Sequence, residues 1–411
     1  MPAPTILLIG TADTKSDEML YLASVLESAG AIPATMDVGV LGDPPFEPTY
    51  SKHAVAAAIG VSNQDIIDLG DENRAMVKQA AGAATLAAEL VSEGKIQGML
   101  AIGGSMATDL ALDVAEILPL GFPKFIVSTV AFSAILPPER ISPDVMMILW
   151  AGGLYGLNSV CRAVLSQAAG AVVGACRSVE LPAQQKPLIG MTSLGSSTLK
   201  YMLRLKPEIE KRGYELAVFH TTGMGGRAME ALAAQKKFAA VLDFSLIEVS
   251  NHEHGSVISA GGNRLESAGM AGVPQIVAPG GVTLVDLRTW ADVPPRFADR
   301  EKHTHNRLIA CAKLTPEERA ESARCIADKL MKASGPTAFI MPLAGIDEWD
   351  KEGGPFHDPA GLAAFAGVIR ERVKPPVDLI ELDAHINDAA FADCALGILD
   401  RWIADGTVAR S

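Results

Sequence analysis

Short apolar runs recur along this chain, each ending in a glycine or a small polar residue and giving way to an Ala-rich, helix-like stretch. No other feature restricts the fold as much. Strands are expected near 5–10, 31–37, 97–102, 124–130 and 145–149, then near 187–191, 214–220, 239–243, 274–278, 336–341 and 377–382. A strand that is apolar on both sides has to be covered on both faces, as in a parallel sheet flanked by helices. Segments such as 75–91 and 106–118 are rich in alanine, so they can pack closely on such a sheet. The fold class is therefore α/β, with two Rossmann-like subdomains, each an open, mainly parallel sheet flanked by helices. The alternation breaks in SVELPAQQKPLIG (178–190), a polar, Pro-punctuated hinge. This places a boundary near 182, with an N-terminal subdomain of 1–182 and a C-terminal one of 183–411. Residues 40–73, with Pro44, Pro45 and Pro48, read as a loop-bearing excursion.

At 411 residues the chain exceeds one ordinary core, and 49% hydrophobic residues supply material for two. The formal charge of −13 disfavours non-specific binding to nucleic acid or anionic membranes. Five cysteines without CxxC spacing suit buried free thiols in a reducing compartment. The N-terminus lacks a basic-then-apolar leader pattern, and no apolar run approaches the roughly 20 residues that span a bilayer. The expectation is a soluble cytoplasmic protein with a small-molecule substrate and neither a nucleic-acid nor a membrane partner.

Open parallel sheets bind ligands beyond the carboxyl ends of their strands, so the residues just past each strand are the candidates for function. Gly10, Thr11, Asp13, Thr14 and Lys15 come after the first strand, where a helix start favours an anion and hydroxyls and a lysine add donors. A helix cap with Lys15 in solvent is the plain alternative, and the loop lacks the Walker A pattern. Gly103, Gly104, Ser105 and Thr108 form a second such loop, able to make a backbone nest or a tight turn with a Ser cap. Ser196, Ser197 and Thr198 open the second unit with the same composition.

In VFHTTGMGGRAMEAL (218–232), Gly223, Gly225 and Ala228 fit G-x-G-x-x-A, and Asp243 stands 20 residues beyond Gly223. This matches the dinucleotide fingerprint, although the segment does not open its unit. Gly225, Gly226 and Arg227 are candidate substrate contacts. Two His-x-His pairs, His252 with His254 and His303 with His305, could each bring imidazoles to a zinc-like metal, or sit as hydrogen-bonded polar loops. Asp383, His385 and Asn387 lie at the exit of an apolar strand as a candidate acid–base group, with a capped turn as the alternative.

GTADTK (10–15), GGSMAT (103–108), TGMGGRAME (222–230), RLESAGMAGVPQIV (264–277) and ELDAHINDAAFA (381–392) together resemble the ATP-binding domain family named after the tomato mosaic virus resistance protein. The resemblance runs over nearly the whole chain. It implies two Rossmann-like subdomains, a homodimer, and ATP with Mg2+. The chain departs from the family at Phe244, Ser245, Leu246 and Ile247, where relatives tend to carry threonines, and at His252-Glu253-His254. The functional expectation is an ATP-binding enzyme performing phosphoryl transfer or ATP-dependent activation of a small anionic substrate in the inter-subdomain cleft. Asp13 or Asp109 would approach magnesium through water. A non-catalytic, regulatory nucleotide-binding dimer and a metal-dependent enzyme using the His-x-His pairs are the alternatives.

Overall fold

The computed structural model describes residues 2–137, 140–180, 186–195 and 199–409. The chain divides into two compact units, residues 1–183 and 184–411. The hinge position near 182 lies outside the described residues.

In the first unit, β1 (Thr5–Gly10), β2 (Ile32–Asp37), β3 (Gly98–Gly103), β4 (Lys124–Ser128) and β5 (Met146–Leu149) form a parallel sheet of order β2-β1-β3-β4-β5. Successive residues of β1 serve opposite faces, as the two-residue period of a strand requires. Ile6 and Leu8 meet Met19, Leu22 and Leu26 of α1 (Ser16–Ser28) and Leu165 and Val172 of α6 (Ser159–Ser178). Leu7 and Ile9 join the alanines of α4 (Glu72–Ser92) and Leu110 and Val114 of α5 (Ser105–Ile117). Because α1 and α5 cover opposite faces, the connections diverge between β1 and β3, which makes that point the topological switch. The 40–73 excursion carries two short helices, α2 (Lys52–Ala57) and α3 (Asn63–Ile67). By length and composition α6 is apolar enough to cross a membrane. Its inner face (Cys161, Leu165, Ala168, Val172) is instead committed to the core.

In the second unit, β6 (Leu188–Ser193), β7 (Glu215–His220), β8 (Ala240–Ser245), β9 (Gln275–Gly280), β13 (Thr337–Pro342) and β14 (Asp378–Leu382) form a parallel sheet of order β14-β13-β9-β8-β6-β7. Tyr201, Leu205 and Ile209 of α7 (Leu199–Lys211) and Phe391, Leu399 and Trp402 of α13 (Ala389–Ala404) cover one face. Phe244 packs edge-on against Tyr201 and Phe391, with ring centroids 5.4 and 5.0 Å away. The other face carries α11 (Pro316–Leu330) and α12 (Pro359–Arg372). A capping box between Thr315 and Glu318 starts α11. Three shorter helices, α8 (Met224–Ala234), α9 (Ile247–Glu253) and α10 (Ser267–Met270), come after β7 and β8. Again the strand order reverses, here between β6 and β8.

A small antiparallel sheet, β10 (Leu284–Arg288), β12 (Ile309–Lys313) and β11 (Lys302–Thr304), is inserted after β9. Its strands were not expected from the sequence. They are three to five residues long, and no strand–glycine–helix sequence marks them.

Candidate functional site

The loop after β1 uses its donors on its own chain. Thr11 O accepts from the Thr14 and Lys15 N–H groups at 3.2 and 2.9 Å. Asp37, buried at the end of β2, accepts from Ala12 N at 3.0 Å and Gly39 N at 2.9 Å. The Thr11 and Thr14 hydroxyls face each other at 2.8 Å. Lys15 Nζ donates to Leu154 O at 2.7 Å and stands over the Tyr155 ring, 4.7 Å from its centroid. Gly10 is where Met19 of α1 crosses the strand, since a Cβ there would come within 2.9 Å of its sulfur. The GTADTK loop is therefore a closed turn, with Lys15 tied to the segment before α6.

Beside that turn lies a cavity of about 470 Å³. Thr11, Asp13 and Thr14 form one wall, Val38 to Leu41 after β2 a second, and Ile66, Met76 and Met106 the apolar remainder. Asp13 is half-buried there because the loop after β2 passes close to its carboxylate; a Cβ on Gly42 would lie 2.5 Å from Asp13 Oδ2. Asp71 and Glu72 stand at the rim, and among the described residues no lysine or arginine lines the cavity. Met106 belongs to the first turn of α5, whose N-cap, Gly104, makes no side-chain capping bond. A Cβ on Gly104 would meet nothing nearer than Thr129 Oγ1 at 3.8 Å, so this helix start is open. Ser105 is exposed, whereas Thr108 is buried and paired with Ser128 at 2.8 Å. Asp109 is paired with Arg140 at 2.7 Å.

In the second unit the G-x-G-x-x-A segment closes on a carboxylate of the protein itself. Glu248 Oε1 accepts from Gly223 N at 2.6 Å and from Gly226 N at 3.1 Å, taking the place at the α8 N-terminus that a pyrophosphate would occupy. Gly225 is glycine because His220 O lies against it, and Gly226 because the Glu248 carboxylate does. Asp243 is tied to Thr192 Oγ1 at 2.8 Å and to Arg264, which also meets Glu248 and Glu230. Burial alone would lower the Arg264 pKa; the surrounding carboxylates outweigh it and hold it well above the ordinary value. Burial in turn pushes Glu248 up, against Arg264 and the two glycine N–H groups. The fingerprint is thus a structural clamp, with Gly226 N–H turned to Glu248 and Arg227 reaching Asn263 at 3.4 Å. Ser196, Ser197 and Thr198 lie outside the described residues.

His385 is buried with both ring nitrogens engaged. Nε2 lies 2.8 Å from Asp347 O and 3.2 Å from Asp350 Oδ1, and Nδ1 accepts from Asn387 N at 3.0 Å. That pattern assigns the proton to Nε2. Asp383 is exposed, so the acid beside His385 is Asp350, and Asn387 donates to Glu348 at 3.2 Å. Neighbouring Asp347 is pushed up to about 7, mainly by burial and then by Asp350. The sequence pattern missed Asp347 and Asp350 because GIDEWD (345–350) carries no helix-start signature. The expected Asp383–His385 pair gives way to a buried structural network.

The His-x-His pairs do not converge on a metal. His252 Nδ1 pairs with Ser259 at 3.2 Å, and buried His254 with Ser322 at 3.0 Å and Arg296 at 3.3 Å. Burial and then Arg296 lower the His254 pKa. His303 stacks on Trp349, with centroids 4.5 Å apart. Among the described residues, no group of three or more His, Cys, Asp or Glu is placed to hold a metal ion.

His305 instead lines a smaller cavity, about 100 Å³, with His220, Asp286, Asn306, Cys311 and Trp349. It lies past the ends of β6, β7 and β8 and against the antiparallel sheet. One cue was available in the sequence: His220 ends its strand just before Thr221, Thr222 and Gly223.

Fold and cavities together define a class, a protein of two doubly wound parallel α/β units with a pocket beyond strand ends in each. The chain belongs to the family described as Uncharacterised protein family (UPF0261), whose N-terminal domain matches residues 4–181 and whose C-terminal domain matches 186–403. It is 58% identical over 408 residues to a UPF0261 protein of Brucella melitensis, covering 99% of this chain and 98% of that one. To a UPF0261 protein of Clostridium tetani it is 36% identical over 390 residues, covering 94% and 96%. The ToMV resistance protein Tm-1(GCR237) of Solanum lycopersicum is 29% identical over 418 residues, which are 95% of this chain and 55% of that protein. Among solved structures, UDP-GlcNAc 2-epimerase from Methanocaldococcus jannaschii aligns with a TM-score of 0.22 and 9% identity, covering 66% of this chain and 82% of that one.

Proposed function

We propose that the first unit binds a nucleotide, ATP with Mg2+, and that the protein is a nucleotide-dependent enzyme acting on a small molecule. One observation carries the reading: the 470 Å³ cavity sits at the switch point of a β2-β1-β3-β4-β5 sheet, beside an α5 start that no side chain caps. Its size is that of a small-molecule site. The slot of Val40, Ile66 and Met76 suits a planar base. The unpaired N–H groups at the start of α5 suit a phosphate, helped by the helix dipole. A triphosphate needs a counter-cation here, since the described lining has carboxylates and no basic side chain. Asp13 is the residue that would hold magnesium, through water in the usual way of that ion. The family resemblance supports ATP over other nucleotides.

The test is thermal stability of the full chain against ATP, ADP and NAD, with and without Mg2+, in the wild type and in Gly104→Ala. A ligand at about 100 times its Kd stabilises by roughly 2.7 kcal/mol, an easily measured shift. The Gly104 backbone has room for a methyl, and replacing an N-cap Gly by Ala costs at most about 1 kcal/mol. A magnesium-dependent ATP shift that Gly104→Ala weakens supports the reading. No nucleotide shift, or one indifferent to Gly104→Ala, overturns it. ATP binding without consumption under any substrate would leave a regulatory nucleotide-binding protein.

A further inference from the structure

The second unit has a pocket that the nucleotide reading does not use. Its floor is Asp286 on β10, 4% exposed, with Cys311 of β12 beside it. Two independent elements supply its rim: His220 from the end of β7, and His305 and Asn306 from the turn between β11 and β12, all three exposed. Leu194, Ile247 and Leu284, with the indole of Trp349, make the walls apolar. His303 lies tilted against Trp349, with ring centroids 4.5 Å apart.

Asp286 is held as a functional acid would be. Asn251 Nδ2 donates to its Oδ2 at 2.9 Å while Asn251 Oδ1 accepts from the Asp286 N–H at 2.8 Å, so one amide fixes both its side chain and its backbone. The Cys311 thiol lies 3.3 Å from Oδ1. Burial raises the pKa of the acid, against its bonds to Asn251 and Cys311, and His220 and His305 line the same cavity. The Cys311 thiol is raised too, by burial and then by Asp286, which makes it a neutral wall and no nucleophile. A buried carboxyl with two imidazoles at the mouth of an apolar slot needs a ligand with an oxygen at depth and a negative charge at the entrance.

We propose that this pocket is a second ligand site, for a short 2-oxo- or 2-hydroxycarboxylate. The carboxylate lies at the rim between His220 and His305, the carbon chain on Trp349 and Ile247, and the C2 oxygen on Asp286. The apolar walls favour four or five carbons, and the cavity is too small for a nucleotide. Asn251 acts as a positioning residue through Asp286. The inference is independent of the nucleotide reading, because its residues belong to the second unit alone.

The full-length protein is titrated calorimetrically with 2-oxobutanoate, 2-hydroxybutanoate and butanoate. In parallel, diethyl pyrocarbonate labelling of individual histidines is followed by mass spectrometry. The oxygenated acids are expected to bind at least about tenfold more tightly than butanoate, since a site built to hydrogen-bond a C2 oxygen rejects the analogue lacking it. They are expected to slow labelling of His220 and His305 while leaving His53, exposed in the first unit, unchanged. The His220→Ala/His305→Ala variant changes only exposed rings and should lose binding. Asp286→Asn should lose the preference for 2-hydroxybutanoate over butanoate. Absence of binding, equal affinity for all three acids, or binding that neither protects the two histidines nor requires them overturns the proposal. ATP shifts recorded on the same variants separate its failure from that of the nucleotide reading.

Discussion

Arg264 is fully buried and is bonded to carboxylates from three segments: Glu230 of α8, Asp243 of β8 and Glu248 of α9. A buried ion cluster contributes modestly as a whole but is costly to break, because the partners left behind remain charged in low dielectric. Arg264→Met is expected to destabilise by about 3–5 kcal/mol in urea unfolding; a loss under about 1 kcal/mol would show that the carboxylates relax or take up protons at little cost. Asp347 gives a pH signature. Its carboxyl sits at about 7 in the folded protein, raised by burial and by Asp350, against about 3.9 when unfolded. Between those values the folded state binds more protons, so stability from this group is full below pH 4 and is lost as pH rises towards 7. The slope is at most about 1.4 kcal/mol per pH unit. Asp347→Asn should flatten the stability–pH curve in that window, and an unchanged curve would remove Asp347 as its source.

At the scale of elements, two close approaches decide local sequence. In α4, Gly82 is an interior helix glycine, and by propensity alone alanine would be better by about 1 kcal/mol. The Val55 carbonyl of α2, however, occupies the space a Cβ would need. The steric term wins, and Gly82→Ala should destabilise by about 1–3 kcal/mol, as overpacking does; a stabilised variant in thermal unfolding would refute this packing. The turn after β1 gives the second case. Lys15 ties α1 to the segment before α6 through Leu154 O and is not among the described residues that line the first unit's cavity. Lys15→Met should therefore cost about 1–3 kcal/mol of stability while leaving the ATP Kd within about threefold, under roughly 0.7 kcal/mol. A loss of ATP affinity with stability intact would return Lys15 to the ligand.

At the scale of the molecule, each unit has its own sheet and its own cores. Ile6, Leu8 and Leu100 with α1 and α6 build one, and Met191, Phe244 and Phe391 with α7 and α13 another. Units of 183 and 228 residues are of ordinary domain size. Expressed separately as 1–183 and 184–411, each is expected to unfold in a cooperative transition; a fragment with molten, non-cooperative melting would show that its core is incomplete.

The alternation of apolar strand, small loop and helix was local information, and the sequence by itself determined the two parallel sheets, down to strand positions within a residue or two at β1, β7 and β14. The loops after β1 and β3 flank the point where strand order reverses in the first unit, because the sequence marks strand ends. What the strand-end loops do was decided by tertiary structure. Glu248 meets Gly223 and Gly226 across 25 and 22 residues of chain, which turns a nucleotide-like pattern into a clamp. Asp350 reaches His385 across 35 residues, so the adjacent Asp383 was a poor guide to its partner. Asp286, His220 and His305 share one pocket only because an antiparallel insertion folds against the carboxyl edge of the parallel sheet. Periodicity is carried by neighbours in sequence. The pairing of a buried charge or the floor of a cavity depends on which distant segments come into contact, and no local pattern records that.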